Sequence, residues 1–581
     1  MKAIIYIVMS MVVLTGATSC ESFLDTENLT EKNTSNYPRT LTDATQMIAG
    51  IYNNLSVVNA NPQRSFYMVS ELASDDRLGG GGLNDRQLQA LDLMLSNETD
   101  MLGQFWVDRY AGIQRANTAI ETLGDCDGYN SDDQKNQMIG EAYFLRALYY
   151  YELASLFENI PLMISPVAEK KPQASPDETW SQIISDLKTA IELMPARKFS
   201  SGWVESGHAD KWTAEAMLAR AFLFYTGFYN KTEVKLPDES VIGKNEVIGY
   251  IDDCVNNSGY DLVGSDFRNL WAYSNRLTKE DYTFTQGQGL KWVEDDNGIN
   301  PESMFAVKYS KFASWSTTIG YSNGYALFFG IRGGQDIAKT FPFGQGWGAG
   351  PVAPNLWKDW VETEPNDIRR KSSICDIREE LDPLGYEKGA AGWIDFVQET
   401  DYFNKKTAPV SSKKGDGSYT ETFEQNMYDY TSVNFQLSNI HDLVLIRFAD
   451  VLLMQSELKQ EVTGINKVRQ RAGLPPVGSY SDEALRNERR WELCFEGVRW
   501  NDIRRWRTAE QALAVQEGQP VYYQGVADRN TTVNNGGGYA NRYRATNGFF
   551  PIPERQISLS GGLYKQNAGW GTGESLYTNW K

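Results

Sequence analysis

Imidazole, on which most proton-transfer chemistry near neutral pH relies, occurs only at His208 and His441 in 581 residues. A Ser-His-Asp triad would have just these two bases, and His208 lies in the loop-like SGHAD before a helix start, where solvation or capping is its ordinary role. G-x-S-x-G, H-E-x-x-H and Walker sequences do not occur. Gly344, Gly346 and Ala349 satisfy G-x-G-x-x-A in spacing alone. Pro342, Pro351 and Pro354 surround them, whereas a dinucleotide turn needs a strand before it and a helix after it, so the stretch reads as a loop. The 75 acidic residues always offer carboxylate pairs for glycoside hydrolysis, and only two that face each other across a cleft would carry meaning. DCDGYNSDD (Asp125 to Asp133) and EDDNGINPE (Glu294 to Glu302) could hold a structural Ca2+ through oxygen ligands. Neither has EF-hand spacing, with Asn130 where that loop needs glycine, and ordinary acidic turns are the simpler reading. No other cofactor is expected.

The stronger chemical signal is aromatic. Between Asp261 and Asn439, Trp271, Tyr273, Tyr282, Trp292, Trp315, Tyr321, Tyr325 and Trp347 sit amid Gly, Ser, Asn and Thr rather than in a helical stripe. A flat ring covers the apolar C–H face of a sugar while neighbouring amides and carboxylates bond its hydroxyls, so these residues are candidate contacts to an oligosaccharide. Packing is the commoner role for any one of them. The formal charge of −19 argues against a nucleic-acid partner, which would need clustered Lys and Arg.

Around these residues the chain alternates between helical and irregular stretches. Helical periodicity runs from Leu41 to Leu55, Phe105 to Leu123, Gly140 to Phe157, Pro176 to Leu193, Ala209 to Tyr229 and Val247 to Val255. Helices in pairs with short turns suggest tetratricopeptide-like hairpins without a strict period. From Asp261 to Asn439 the periodicity fades; MFAVKYS (Met304 to Ser310) alternates like a short strand. Gly525 to Gly548 reads as a surface excursion. In Asn487 to Trp506, Trp491, Cys494, Phe495 and Val498 mark one helical face, and Trp500, Ile503 and Trp506 a second set of turns after Gly497. Glu496 with Arg499, and Asp502 with Arg505, are spaced to pair along the surface. The physical reading of this stretch is a packing element, with Cys494 as a small buried hydrophobe; Cys126, Cys254 and Cys375 are too scattered for a metal site.

Met1 to Ser19 has the build of a secretion signal: Lys2, then a mostly apolar run from Ala3 to Leu14 that is too short to span a bilayer. Gly16, Ala17, Thr18 and Ser19 lead to Cys20 as in a lipobox, with Ala17 where leucine is usual. Cys20 is the expected lipidation site, residues 20–40 a polar tether, and no later run reaches spanning length.

The word order of the stretch from Glu488 to Trp506, ERR-x-EL-x-FEG-x-R-x-x-D-x-RRW, closely resembles the C-terminal signature of the SusD/RagB family of outer-membrane nutrient-binding lipoproteins. Gly140 to Pro166, Thr179 to Pro195, Ala209 to Tyr229, Leu445 to Leu458, Asn466 to Pro475 and Phe549 to Trp570 are similar to further family segments in the family's order; the middle matches only loosely. The resemblance implies a mostly α fold of four tetratricopeptide-like helix pairs. Three precede the middle region, and the fourth forms from the helices near Phe448 and the signature. One interlocked domain over 41–581 would then have its scaffold at about 41–260 and 441–510, a loop-rich binding insertion at about 261–440 and a C-terminal segment at 511–581. SELASDDRLGGGGLNDR (Ser70 to Arg86) corresponds to a family loop that helps line the glycan site, which makes Arg77 and Asn84 polar candidates. The implied activity is non-enzymatic: a cell-surface lipoprotein that captures oligosaccharide and hands it to a SusC-like TonB-dependent barrel. A RagB-like peptide-binding lid and a surface glycoside hydrolase are the alternatives. If Cys20 carries the anchor, Cys20→Ala leaves the protein outside the membrane fraction, and labelled palmitate on the variant would refute the assignment.

Overall fold

The structure is a computed structural model and describes residues 37–60, 65–82, 85–98, 100–264, 266–310, 322–332, 336–389, 397–428 and 434–577. Ten helices build the scaffold: α1 (Leu41–Ala60), α2 (Gly103–Thr122), α3 (Asp132–Phe157), α4 (Pro176–Leu193), α5 (Lys211–Tyr229), α6 (Lys244–Asn257), α7 (Phe448–Lys459), α8 (Thr463–Arg471), α9 (Asp482–Leu493) and α10 (Arg499–Arg505). Their starts follow from local chemistry. Ser131 caps α3 by accepting from the Gln134 N–H, Asp210 caps α5 through Thr213, and Ser175 with Glu178 forms a reciprocal capping box on α4 ahead of Pro176. Left-handed residues, Asn230 and Gln460, close α5 and α7.

Each helix packs on its successor from α1/α2 through α5/α6, and α7 returns from far along the chain to lie on α6 and α9. The mostly α architecture expected from the periodicity is therefore present, with three pairs before the middle region and the last assembled from α7 and the signature helices. One buried apolar cluster runs from Ala44 in α1 to Trp570 near the end of the described chain. The close approach of α5 to α10 depends on Gly227, where an added Cβ would stand 2.6 Å from the Arg505 carbonyl oxygen. No helix among the described residues is long and apolar enough to cross a membrane.

The signature is structural. Trp491, stacked on Trp360 at 4.8 Å, and Phe495 are both 1% exposed. Four of its five arginines meet an acid on another element: Arg489 with Asp450 (2.6 Å), Arg490 with Asp76 (2.7 Å), Arg499 with Asp75 (2.7 Å) and Arg505 with Glu457 (2.5 Å), while Arg504 donates to the Ser155 carbonyl (2.8 Å). Glu492 of α9 lies among Arg369 (3.0 Å), Arg447 (2.6 Å) and Arg471, and Glu302 bridges Arg447 (2.6 Å) and Arg471 (2.5 Å) from the middle region. Burial alone would raise the Glu492 carboxyl, but Arg471, Arg447 and Arg369 hold it well below the usual range.

Three expectations are corrected. The helix drawn through Val498 ends at Leu493, because Phe495 and Gly497 take positive φ (66° and 74°) and turn the chain. The turn sends Glu496 to Arg447 (2.8 Å) and Lys406 (2.7 Å) rather than to Arg499, while Asp502 and Arg505 do pair at 2.8 Å. Gly525 to Gly548 is not merely a surface excursion: Val526–Arg529 pairs with Pro520–Tyr523, and the helix Tyr539–Thr546 buries Tyr539 and Arg542. The acids of Glu294 to Glu302, read as an ordinary acidic turn, diverge. Asp295 accepts from the Arg276 N–H, Asp296 faces Arg276, and Glu302 joins the arginine network; no group of three metal-ligating side chains converges among the described residues.

Two sets of carboxyls act in opposite directions on stability. Burial lifts Glu215 to about 8 and Glu399 to about 7, so their contribution is complete below the ordinary value of 4.5 and is lost as pH rises through 7 to 8. Despite burial, arginines hold Asp450, Glu492 and Asp502 below their ordinary values; their contribution is present above the ordinary carboxylate range and is lost as pH falls beneath it. The melting temperature should peak at about pH 5–6 and fall on both sides. A melting temperature that climbs steadily to pH 8 would show that the raised carboxyls do not govern the neutral limb.

Candidate functional site

The strand expected at Met304 to Ser310 forms as Ser303–Val307 and pairs antiparallel with Leu443–Arg447, in a register that sets Val307 opposite Leu443. The residues that leave the first strand therefore meet those that enter the second. Lys308 forms an ion pair with Asp442, and beside them opens a cleft of two joined chambers. The outer chamber, about 220 Å3, is lined by Trp292, Glu294, Asn300, Lys308, Glu424, Tyr428, His441 and Asp442. The inner one, about 60 Å3, shares Trp292, Glu294 and His441 and reaches Trp271, Lys406, Arg447 and Glu496. On the other side of Lys308 a groove of about 520 Å3 is lined by Tyr52, Asn53, His208 and Tyr309. Lys308 lines both the outer chamber and this groove, and the hollows around it make up the trough at the exit of the strand.

The described chain stops at Ser310, in the wall of this groove, and resumes at Ser322. There the Ser322 hydroxyl donates to the Asn439 carbonyl (2.9 Å) and the Asn323 amide to the His441 carbonyl (3.0 Å). Trp315 and Tyr321 themselves lie outside the described residues, as do Asn84 and Cys20. Both described ends of the segment that carries the two rings thus flank the trough.

Of the other candidates, two line the cleft. Trp271 is partly buried with the Lys406 ammonium 4.9 Å from its ring, and Trp292 packs edge-on to Phe423 at 5.4 Å with 3% exposure. Four are not exposed loop residues, a correction to the sequence reading. Tyr273 is fully buried and donates to the Ser372 carbonyl (2.9 Å); Tyr282 is buried and bonds Glu380. Tyr325 sits in the main core against Tyr67, with ring centroids 4.8 Å apart. Arg77 is fully buried between the Phe329 and Phe495 rings, paired with Glu71 at 2.5 Å, and donates to the Gly350 carbonyl (2.7 Å). The segment expected to line a glycan site is clamped at Asp75 and Asp76 by signature arginines, which buries it. Trp347 is partly buried against Phe328 (4.7 Å) on a separate face, in the stretch from Gly344 to Ala349 that proves to be an irregular loop. The four described cysteines expected to be scattered are free and buried.

Both histidines have acidic partners. His208 meets Glu141 at 2.6 Å, which raises the imidazole above its ordinary value against the effect of burial. His441 meets Glu424 at 3.2 Å. Burial together with the charges of Asp442 and Glu424 lifts the Glu294 carboxyl to about 8, with Lys308 opposing. Lys308, Asp442, Glu424, Tyr428 and Tyr52 were not singled out from the sequence. The only local signal was the alternating strand, since their meeting depends on strand register and on a turn far along the chain.

The comparisons agree with this architecture. The model of the SusD family matches residues 277–570, and one described as "Starch-binding associating with outer membrane" matches residues 22–223. The chain belongs to the SusD family. It is similar to SusD-like protein P2 of Formosa agariphila, 27% identical over 470 residues that cover 75% of this chain and 78% of that protein. A SusD-like protein of Bacteroides ovatus is 21% identical over 432 residues, covering 72% and 67%. Among solved structures, a laminarin-binding SusD-like protein superposes with a TM-score of 0.67 at 24% identity, covering 92% of this chain and all (100%) of that one. Surface glycan-binding protein A of Bacteroides thetaiotaomicron, in complex with laminarihexaose, gives 0.67 at 18% identity, covering 91% and 99%.

Because the Tyr273 hydroxyl serves packing, Tyr273→Phe should cost about 1 kcal/mol of stability and leave oligosaccharide affinity unchanged. A loss of affinity at constant melting temperature would return Tyr273 to the binding set.

Proposed function

We propose that this protein is a lipid-anchored, outward-facing glycan-binding protein of the outer membrane that captures oligosaccharide in the trough around Lys308 and passes it to a SusC-like TonB-dependent barrel. The observation that carries the reading is the coincidence of aromatic and hydroxyl-bonding groups at one place. Trp271, Trp292, Tyr428, Tyr52 and Tyr309 line it, with Asn300, Asn53 and the acids between them, and both described ends of the segment bearing Trp315 and Tyr321 adjoin it. Relatives of the same fold described as binding laminarin and laminarihexaose support the ligand class. The family description of association with the outer membrane supports the location, which the anchor at Cys20 would provide. Capture needs no covalent step or cofactor. Ring faces shed water at about 25 cal/mol per Å2, and hydroxyl bonds fix orientation while allowing release.

One observation favours a second reading. Glu294 and Asp442 line the same chamber, burial raises both carboxyls, and a raised acid near a second carboxyl is the arrangement glycoside hydrolysis uses. A peptide-binding role is the third possibility. Titration calorimetry against laminarihexaose, a panel of plant and host oligosaccharides and short peptides separates them, together with an assay for new reducing ends. The expected outcome is binding of an oligosaccharide without cleavage. Tyr428→Ala and Trp315→Ala should each weaken it roughly ten- to thirtyfold, the loss of about 1.5–2 kcal/mol from one stacked ring, with the melting temperature nearly unchanged. Wild-type affinity in both variants would remove the trough as the site, and reducing ends that vanish in Glu294→Gln would establish the hydrolase.

A further inference from the structure

The outer chamber holds more carboxyls than cationic partners for them. Glu294, Glu424 and Asp442 face it, and the cationic or potentially cationic groups among its lining residues are Lys308 and His441. Lys308 is taken by Asp442. His441 offers Nδ1 to one oxygen of Glu424, at 3.2 Å, and the Ile440 N–H donates weakly to that same oxygen at 3.4 Å. The other oxygen, Oε2, has no hydrogen-bond partner although Glu424 is 1% exposed, and His441 Nε2 is likewise buried and unbonded. The Glu294 carboxyl makes no hydrogen bond or ion pair among the described residues. Lys406 and Arg447, one chamber deeper, do not relieve the excess, because Glu496 engages both and Glu302 and Glu492 engage Arg447 as well.

A buried carboxylate oxygen without a donor is costly, and it is met by a donor brought from outside more readily than by an anion, which the same acids would repel. Resting on the glycan-binding reading, we propose that the outer chamber is a subsite for a protonated sugar amine, which enters between Glu294 and Glu424 while Trp292 and Tyr428 flank the ring. The sugar rather than a lysine side chain is favoured because the acids sit between aromatic side chains and beside Asn300, which suits a ring bearing hydroxyls. Glu294 strengthens the case by its response: a cation beside it favours the ionised carboxylate that burial and its neighbours disfavour.

The test uses single sugars, so that linkage does not matter. Methyl glucosaminide, methyl glucoside, methyl N-acetylglucosaminide, methyl glucuronide and lysine methyl ester are titrated into the full-length protein at pH 6.5 and followed by tryptophan fluorescence and calorimetry. The expected result is a Kd for the glucosaminide at least tenfold below those of the two neutral glycosides, with the glucuronide weakest. Glu424→Gln and Glu294→Gln, near-isosteric changes, should each cut that preference, read as the ratio of glucosaminide to neutral-glycoside affinity within one variant, at least fivefold while the melting temperature holds. Equal affinity for the amine and neutral glycosides, or a preference that survives both substitutions, overturns the subsite. Lysine methyl ester binding as tightly as the glucosaminide overturns the sugar assignment. Should laminarihexaose bind while none of the single sugars does, the subsite falls and the glycan-binding reading stands; if no carbohydrate binds, both fall.

Discussion

The rest of the molecule depends on a buried lattice of arginines and carboxylates centred on Glu492. Arg369 belongs to the middle region, Arg447 ends a strand, Arg471 closes α8 and Glu302 opens the partner strand; Glu492 lies on α9. Parts of the chain almost two hundred residues apart in sequence are thereby held to one point. Charges taken out of water cost several kcal/mol each, and their mutual attraction offsets this only when every partner is in place. Removing one member would leave uncompensated charge in the core. Such a lattice specifies which segments meet more sharply than apolar burial could, because apolar contacts tolerate sliding and bidentate pairs do not.

The trough inherits its position from that lattice. Arg447 and Glu302 fix the two strands at one end, their register sets Lys308 against Asp442 at the other, and Asn323 is tied to Asn439 and His441 at the same spot. A rigid helical frame thus carries a cleft lined largely by irregular chain, the usual division of labour between scaffold and loops. The deeper chamber is walled by the lattice itself, which makes it a firm end to the cleft.

Family membership and the trough answer different questions. The family signature maps onto packing: Trp491 and Phe495 are core residues, and the partly buried Arg490 and Arg499 clamp Asp75 and Asp76. A pattern so specific for the fold is therefore silent about the ligand. The residues that would discriminate among ligands, Glu294, Glu424, Asp442 and Tyr428, lie outside that signature, in or beside the loop-rich stretch.

The helices were legible in the sequence, because a 3.6-residue apolar period acts over a few neighbours, but not all their limits: α3 begins at Asp132 rather than Gly140 and α9 ends at Leu493. The loop nature of Gly344 to Ala349 was legible for the same reason. Tertiary structure alone decided which aromatics are buried. Tyr273 and Tyr325 look like Trp271 in local composition, yet one hydroxyl finds the Ser372 carbonyl and the other ring finds Tyr67, contacts with residues far away in sequence. Arg77, read as a ligand contact, proved to be held between two rings and a glutamate for the same reason. The break in the signature helix at Phe495 was likewise set from outside, since Tyr67 and Glu71 bond the turn. Local periodicity reports which residues can be buried, and only long-range partners determine which of them are.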